Sequence, residues 1–506
     1  MRPSFSKTSA VFTSLFFSLG VLVINALNGI FLLPFYLRTI SQAAYGAWLG
    51  GYGITSMLGI AEGGFSTAAA LKLSGSYAQK DPKALGAIAF SSFVTSTAIA
   101  LLVGVIGTLI SPEIPKWVHC PVGDASSLVL ACKINTYAVS LMIIAYTLAA
   151  IPSVLQRTLY LGVISLVAVG AQTVVIVAFV SNHDGVIVLA YSQLASAAVY
   201  LIGNAINSFL LIETTWSILR STFDSRIAFD TLMAARPLML TKVASSLTSQ
   251  IQVPLLANVS GPREAAKYGV VLKLSGLISV VVDRIWNSAI TALMVVRSEN
   301  PENYRMRGIQ LMRLSTLLLI FGYGFLLVND RVIYNMWLGR LWQPDYKTLL
   351  AVIALSAVST LKNSVASLRI SSGHFNRNAL VALSECLCIF VLAEIMPRRP
   401  SAFLITLGFL VVALINLVIL AARASSNGLT LKEILDNLGI FLLYALPLCG
   451  AHWLFRTLPL GENAIAATAA LLVAVAGFIL TDSYIIEAIS TLRALLIKAR
   501  KRTENL

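Results

Sequence analysis

Fourteen runs of about twenty apolar residues, separated by short polar links, leave this chain one kind of fold. An α-helix needs about 20 such residues to cross a hydrocarbon core of roughly 30 Å. The runs fall at 10–37, 44–71, 84–110, 134–156, 159–181, 185–212, 237–258, 267–296, 310–332, 347–372, 379–397, 401–422, 436–456 and 463–482. None shows the ten-residue alternation of a transmembrane β-barrel. The sequence therefore predicts an all-α, polytopic membrane protein with about fourteen transmembrane helices. Composition agrees: of 506 residues 57% are hydrophobic and 12% charged, too apolar for a soluble protein of this length. The first run is too long for a signal-peptide core and is read as a span.

The links set the expected organisation. Helices 1–6 form an N-terminal lobe (1–212), 213–236 a cytoplasmic inter-lobe linker, helices 7–12 a C-terminal lobe (237–422), and 423–506 two additional helices with a basic cytoplasmic tail. Outer links are short, so no extramembrane domain is expected to hold separate chemistry. The net charge is +15, but the cations lie between apolar runs and form no continuous basic face, which argues against a nucleic-acid partner. Inner links collect Lys72, Lys80, Lys83, Arg220, Arg226, Arg236, Arg297, Arg305, Arg307 and Arg313. The positive-inside bias puts both termini in the cytoplasm.

A motif repeats across the two lobes. Ala43-Ala44-Tyr45-Gly46 opens one apolar run, and Ala265-Ala266-Lys267-Tyr268-Gly269 opens another. Counted from each Tyr, Glu62 lies 17 residues in, and Asp283 and Arg284 lie 15 and 16 in. Charge placed at matched depth in two halves points to a repeat fold with a central site between them, as in secondary transporters.

Ionisable groups inside a membrane mark pathways or wet cavities. At 100° per residue, Ser14, Ser18, Asn25 and Asn28 share one face of the first run, and Tyr52, Thr55, Gly59, Glu62 and Ser66 one face of the second. Lys242, Ser245, Ser246, Ser249 and Gln252 stripe the seventh; Lys273, Arg284 and Asn287 lie within roughly 40° on the eighth, with Asp283 at the edge. The expected binding residues are Arg284, Lys273, Lys242, Lys362, Asn25, Asn28, Asn287 and Gln252, with Glu62 and Asp283 as ion-coupling candidates. Lys242, Lys273, Arg284 and Lys362 outnumber the two acids, and a positive cavity suits an anionic cargo such as a diphosphate. Simpler roles stand beside these: Lys242 and Lys362 within snorkelling reach of an interface, Asp283 with Arg284 as a local pair, Glu62 as a hydrogen-bond partner of a neighbouring helix. Arg284, near the middle of its crossing, is the hardest to explain that way.

Five cysteines form no disulfide framework. Cys120 and Cys132 lie in or beside the longest outer link, where a bridge is open to them if that face is oxidising; Cys386, Cys388 and Cys449 read as packing residues. His119, His183, His374 and His452 are scattered, and no metal spacing, nucleophile elbow or phosphate loop is present. A membrane-embedded polysaccharide polymerase or ligase, which would need a large outer loop with clustered catalytic groups, is disfavoured. The chain is not expected to be an enzyme and needs no cofactor.

The stretches LLPFYLRTISQAAYGAWL, AEGGFSTAAALKLSGSYAQKD and AAKYGVVLKLSGLI resemble the Wzx-type polysaccharide flippases of the multidrug/oligosaccharidyl-lipid/polysaccharide exporter superfamily. The resemblance implies two pseudo-symmetric six-helix lobes plus two further helices, in the bacterial inner membrane. It implies export of an undecaprenyl-diphosphate-linked oligosaccharide by alternating access for surface polysaccharide (O-antigen, lipopolysaccharide) synthesis, coupled to H+ or Na+. Membrane lipids and other polysaccharide-assembly proteins are the implied partners. The alternative is a multidrug/cation antiporter of the same superfamily, which would want acids for its cargo and usually twelve helices.

Overall fold

The computed structural model describes residues 20, 24, 28–155, 158–181, 184–209, 223–299, 301–371, 375–395, 401–424, 431–455, 460–482 and 485. All regular structure among them is helical, and each of the fourteen apolar windows carries helix. In chain order the helices are α1 (Asn28–Leu37), α2 (Gln42–Met57), α3 (Phe65–Ala78), α4 (Pro82–Ile110), α5 (Ile114–Trp117), α6 (Ala125–Val154), α7 (Thr158–Phe179) and α8 (Gly185–Phe209). They continue with α9 (Ser225–Gln250), α10 (Gln252–Val259), α11 (Pro262–Glu299), α12 (Pro301–Val328), α13 (Asp330–Trp337), α14 (Tyr346–Ser371) and α15 (Phe375–Ile395). The last are α16 (Ala402–Ala424), α17 (Leu431–Phe455) and α18 (Leu460–Thr481).

Local sequence explains the starts. Ser41 caps α2 by accepting from Ala44 N at 3.1 Å. Asp81 accepts from Lys83 N and Ala84 N, both at 3.0 Å, with Pro82 at the first helical position, where its missing N–H costs nothing.

Eight of the described helices are long and apolar enough to cross a membrane. Their outward faces decide the solvent. The Leu159–Phe179 span has a mean hydropathy of 2.3 with 17% of its apolar window buried, and Leu101 and Leu102 on α4 are 67% and 60% exposed. Surface that greasy belongs in lipid. The protein is a multi-pass membrane protein.

The chain divides into two compact units, residues 1–269 with 382–402 and residues 270–381 with 403–506. In the first, α6 is central and packs on α2, α3, α4 and α8. Leu73, Leu85, Ile88, Ala89, Ala150 and Ile151 form one of its apolar clusters, and Asn135 Nδ2 donates to the buried Thr55 Oγ1 at 2.7 Å. The stretch 225–236, read as part of a linker, forms the first turns of α9, which packs on α3 and α4. In the second unit α12 is central and packs on α14, α17 and α18. Trp286 Nε1 donates to Ser315 Oγ at 2.9 Å, and Arg313 pairs with Asp482 at 3.5 Å.

Candidate functional site

In the first unit the run expected as a single crossing at 44–71 is two half-helices. α2 tightens into a 3-10 turn over Leu58–Glu62, and Gly63 and Gly64 then take φ of +50° and +81° before α3 begins. Left-handed backbone favours glycine, and a Cβ on Gly63 would also lie 2.6 Å from Met239 Cγ. The face expected to join Tyr52, Thr55, Gly59, Glu62 and Ser66 is therefore not one helix face: Ser66 belongs to the second half-helix.

A break in hydrocarbon leaves backbone N–H groups that need acceptors. Glu62, 6% exposed, supplies them. Its Oε2 accepts from Gly64 N at 3.1 Å, and its Oε1 accepts from Ser66 N at 2.8 Å and from the Ser66 hydroxyl. A carboxylate at the N-terminus of α3 also meets the positive end of the helix dipole. Among the other expected residues, Asn28 donates to Thr173 Oγ1 at 2.7 Å, tying α1 to α7. Gln252 accepts from Tyr268 OH at 2.9 Å and donates to Thr248 O at 3.3 Å. Asn25 lies outside the described residues; so do the side chains of Lys242 and Asn287, whose backbones run in α9 and α11.

In the second unit Asp283 and Lys273 are half-buried on α11, and Arg284 is exposed. Asp283 is hydrogen-bonded by Asn363 of α14 and lies within electrostatic reach of Arg284. Lys362, half-buried, precedes Asn363. The structure thus brings Asp283, Arg284 and the Lys362–Asn363 turn of α14 into one neighbourhood.

Sequence reasoning missed what lies beside it. Tyr323 OH bonds Ser279 Oγ at 2.7 Å and donates to Ser275 O at 3.3 Å. Thr360 Oγ1 donates to Ser279 Oγ at 2.9 Å, and Ser356 Oγ to Ser275 Oγ at 3.2 Å. Ser275, Ser279 and Asp283 recur every fourth residue on α11, and Ser356 and Thr360 do so on α14, so a hydroxyl ladder leads to the carboxylate. That spacing was the available signal. Arg284 is nine residues from Ser275 and falls on the opposite side of α11, roughly 180° around.

No family model matches the chain, and no curated relative does. Solved structures do. An inward-facing multidrug resistance MATE family transporter of the MOP superfamily aligns with a TM-score of 0.66 at 11% identity, over 82% of this chain and 96% of that one. The lipid II flippase MurJ, in an inward closed conformation, aligns with a TM-score of 0.64 at 13% identity, over 92% and 98%. The chain has the fold of MOP-superfamily transporters. A third such structure, a MOP-superfamily transporter from Pyrococcus furiosus described by the reverse polarity of its binding pocket, aligns with a TM-score of 0.60 at 11% identity, over 84% and 96%.

Proposed function

We propose that this protein flips an undecaprenyl-diphosphate-linked oligosaccharide from the cytoplasmic to the periplasmic leaflet of a bacterial inner membrane, by alternating access, for surface polysaccharide synthesis. The observation that carries the reading is the extent of the similarity to the lipid II flippase. It covers 92% of this chain, against 82% and 84% for two of the transporters of the same superfamily. The extra 8 to 10% of 506 residues is about the length of α17 and α18, 25 and 22 residues.

The chemistry supports the same cargo. A polyisoprenyl tail stays in lipid, whereas a diphosphate and its sugars cannot leave water without a polar path. α11 and α14 carry eight Lys and Arg residues, Lys273, Arg284 and Lys362 among them, against three acids, Glu264, Asp283 and Glu299, an excess of cation that suits a diphosphate. Glu62 and Asp283 remain the residues for H+ or Na+ coupling, and both termini are assigned to the cytoplasm. A multidrug antiporter is the second reading, favoured by the TM-score of 0.66 with a multidrug transporter.

The test is reconstitution in proteoliposomes with a fluorescent N-acetylglucosaminyl-diphosphoryl polyisoprenol whose inner-leaflet pool is hidden from a membrane-impermeant quencher. Loss of that protection only when the protein is present supports flipping. Full protection, together with uptake of ethidium, overturns it in favour of the antiporter.

A further inference from the structure

The first unit carries an aromatic cluster that the cationic residues of the proposed path do not explain. Tyr146 of α6 meets Tyr200 of α8 edge to face, with ring centroids 6.0 Å apart. The rings of Trp48 and Tyr52 of α2 meet tilted at 48°, with centroids 5.6 Å apart. The Tyr146 hydroxyl lies within electrostatic reach of Tyr200, Glu62 and Tyr52, so the three tyrosines gather beside the broken helix. Tyr146 is 44% exposed. Ser165 of α7 flanks the Tyr200 hydroxyl. Asn204 is fully buried; its Nδ2 donates to Tyr200 O at 2.8 Å, and its Oδ1 accepts no hydrogen bond among the described residues.

We propose that Tyr52, Tyr146 and Tyr200 form a sugar-binding face that takes pyranose rings of the glycan headgroup. The proposal rests on the flippase reading and adds to it a separate place for the sugars. A pyranose presents C–H bonds polarised by neighbouring oxygens, which suit the negative face of an aromatic ring, and hydroxyls that suit phenol and amide groups. A tyrosine brings both in one side chain at little entropic cost.

Charge selects among ligands. α2, α7 and α8 contain no Lys or Arg, and α6 contains only Lys133, in its third turn. An anionic diphosphate finds no partner on these helices. Glu62, the acid within reach of Tyr146, is the coupling-ion candidate and caps the start of α3 with both carboxylate oxygens, so an organic cation would have to compete for it. A neutral, hydroxyl-rich ligand is what remains.

The experiment compares two soluble probes on the purified full chain: farnesyl diphosphate and its N-acetylglucosaminyl ester. The wild type should bind the glycosylated probe tighter by roughly tenfold. Tyr146→Ala and Tyr200→Ala should each erase most of that difference and leave farnesyl diphosphate affinity within about twofold, which also shows that the variants fold. Tyr146→Phe, which keeps the ring, should retain more than half of the gain in log affinity. The inference is overturned if the sugar-dependent gain survives both alanine variants, if both affinities fall together, or if the variants weaken tetraphenylphosphonium binding instead. Failure of the wild type to bind either probe overturns the flippase reading, and this inference with it.

Discussion

Gly46 lies against the backbone of Pro262 so closely that a Cβ at position 46 would stand 1.7 Å from the Pro262 carbonyl oxygen and 3.0 Å from Ala266 N. The two Tyr-Gly motifs of the sequence are thus not only similar; they touch. Gly50 and Gly53 continue the seam, facing Val118 and Ala257, and Pro254. With no hydrophobic drive between helices inside lipid, small residues that allow close approach supply the packing.

Gly46→Ala should therefore destabilise severely, because the obstacle is backbone and cannot rotate away. Gly269→Ala should be milder: the atom its Cβ meets is Leu49 Cδ1, the far end of a flexible side chain. Thermal midpoints in detergent check this. A loss of at least about 2 kcal/mol for Gly46→Ala against about 1 for Gly269→Ala is expected, and equal midpoints would show that the seam relaxes.

Glu62 gives a prediction of its own. As the cap of the second half-helix, its replacement by Ala should cost about 1 kcal/mol and raise hydrogen exchange at the amides of residues 64–68. Glu62→Gln keeps an acceptor but loses the charge, so it should fray α3 less while still slowing transport. Transport by Glu62→Gln that matches the wild type across pH and sodium concentration would restrict the carboxylate to its capping role.

The helices were legible because length and apolarity are local properties, and every window from 10–37 to 463–482 carries helix where it is described. The break at Leu58–Gly64 was not, although Gly63-Gly64 is a strong turn signal, because hydropathy stays high through it. The hydroxyl ladder was hidden for another reason. A membrane Ser or Thr usually returns its proton to a carbonyl one turn back, as Thr95 does to Ser91 O at 2.7 Å and Ser165 to Leu161 O at 2.9 Å. Thr360 makes the same bond, to Ser356 O at 2.7 Å, and only the packing of α11 against α14 adds its contact with Ser279 Oγ.

The pair Arg313–Asp482 joins α12 to the residue after α18, with side chains 10% and 7% exposed. Removing one partner of such a pair strands a buried charge at a cost of about 3–5 kcal/mol, whereas replacing both with apolar groups is often neutral. Arg313→Met and Asp482→Leu should each lower the thermal midpoint, and the double variant should recover most of the loss. A double variant as unstable as the sum of the singles would show that each residue acts through other partners.

Cys120 and Cys132 are both free thiols. Burial, then the charge of Asp124, pushes the Cys120 thiol up to about 11. Since the thiolate is the nucleophile, alkylation of Cys120 by a maleimide at pH 8 should be roughly a hundredfold slower than for an ordinary exposed thiol. The rate should rise about tenfold per pH unit up to pH 10. Fast, pH-independent labelling would contradict this environment.

The sharpest functional prediction concerns Arg284. It is exposed on the side of α11 away from the buried Ser275, so truncating it opens no cavity, and Arg284→Ala should leave the thermal midpoint within about 0.5 kcal/mol of the wild type. If its guanidinium holds the diphosphate, flipping of the diphosphoryl lipid should fall at least about tenfold. Arg284→Lys should restore only part of it, because an ammonium is a point charge without the bidentate fork. Activity and stability are measured on the same preparation. Undiminished flipping by Arg284→Ala at unchanged stability would remove this residue from the substrate path and leave Lys273 and Lys362 as its cations.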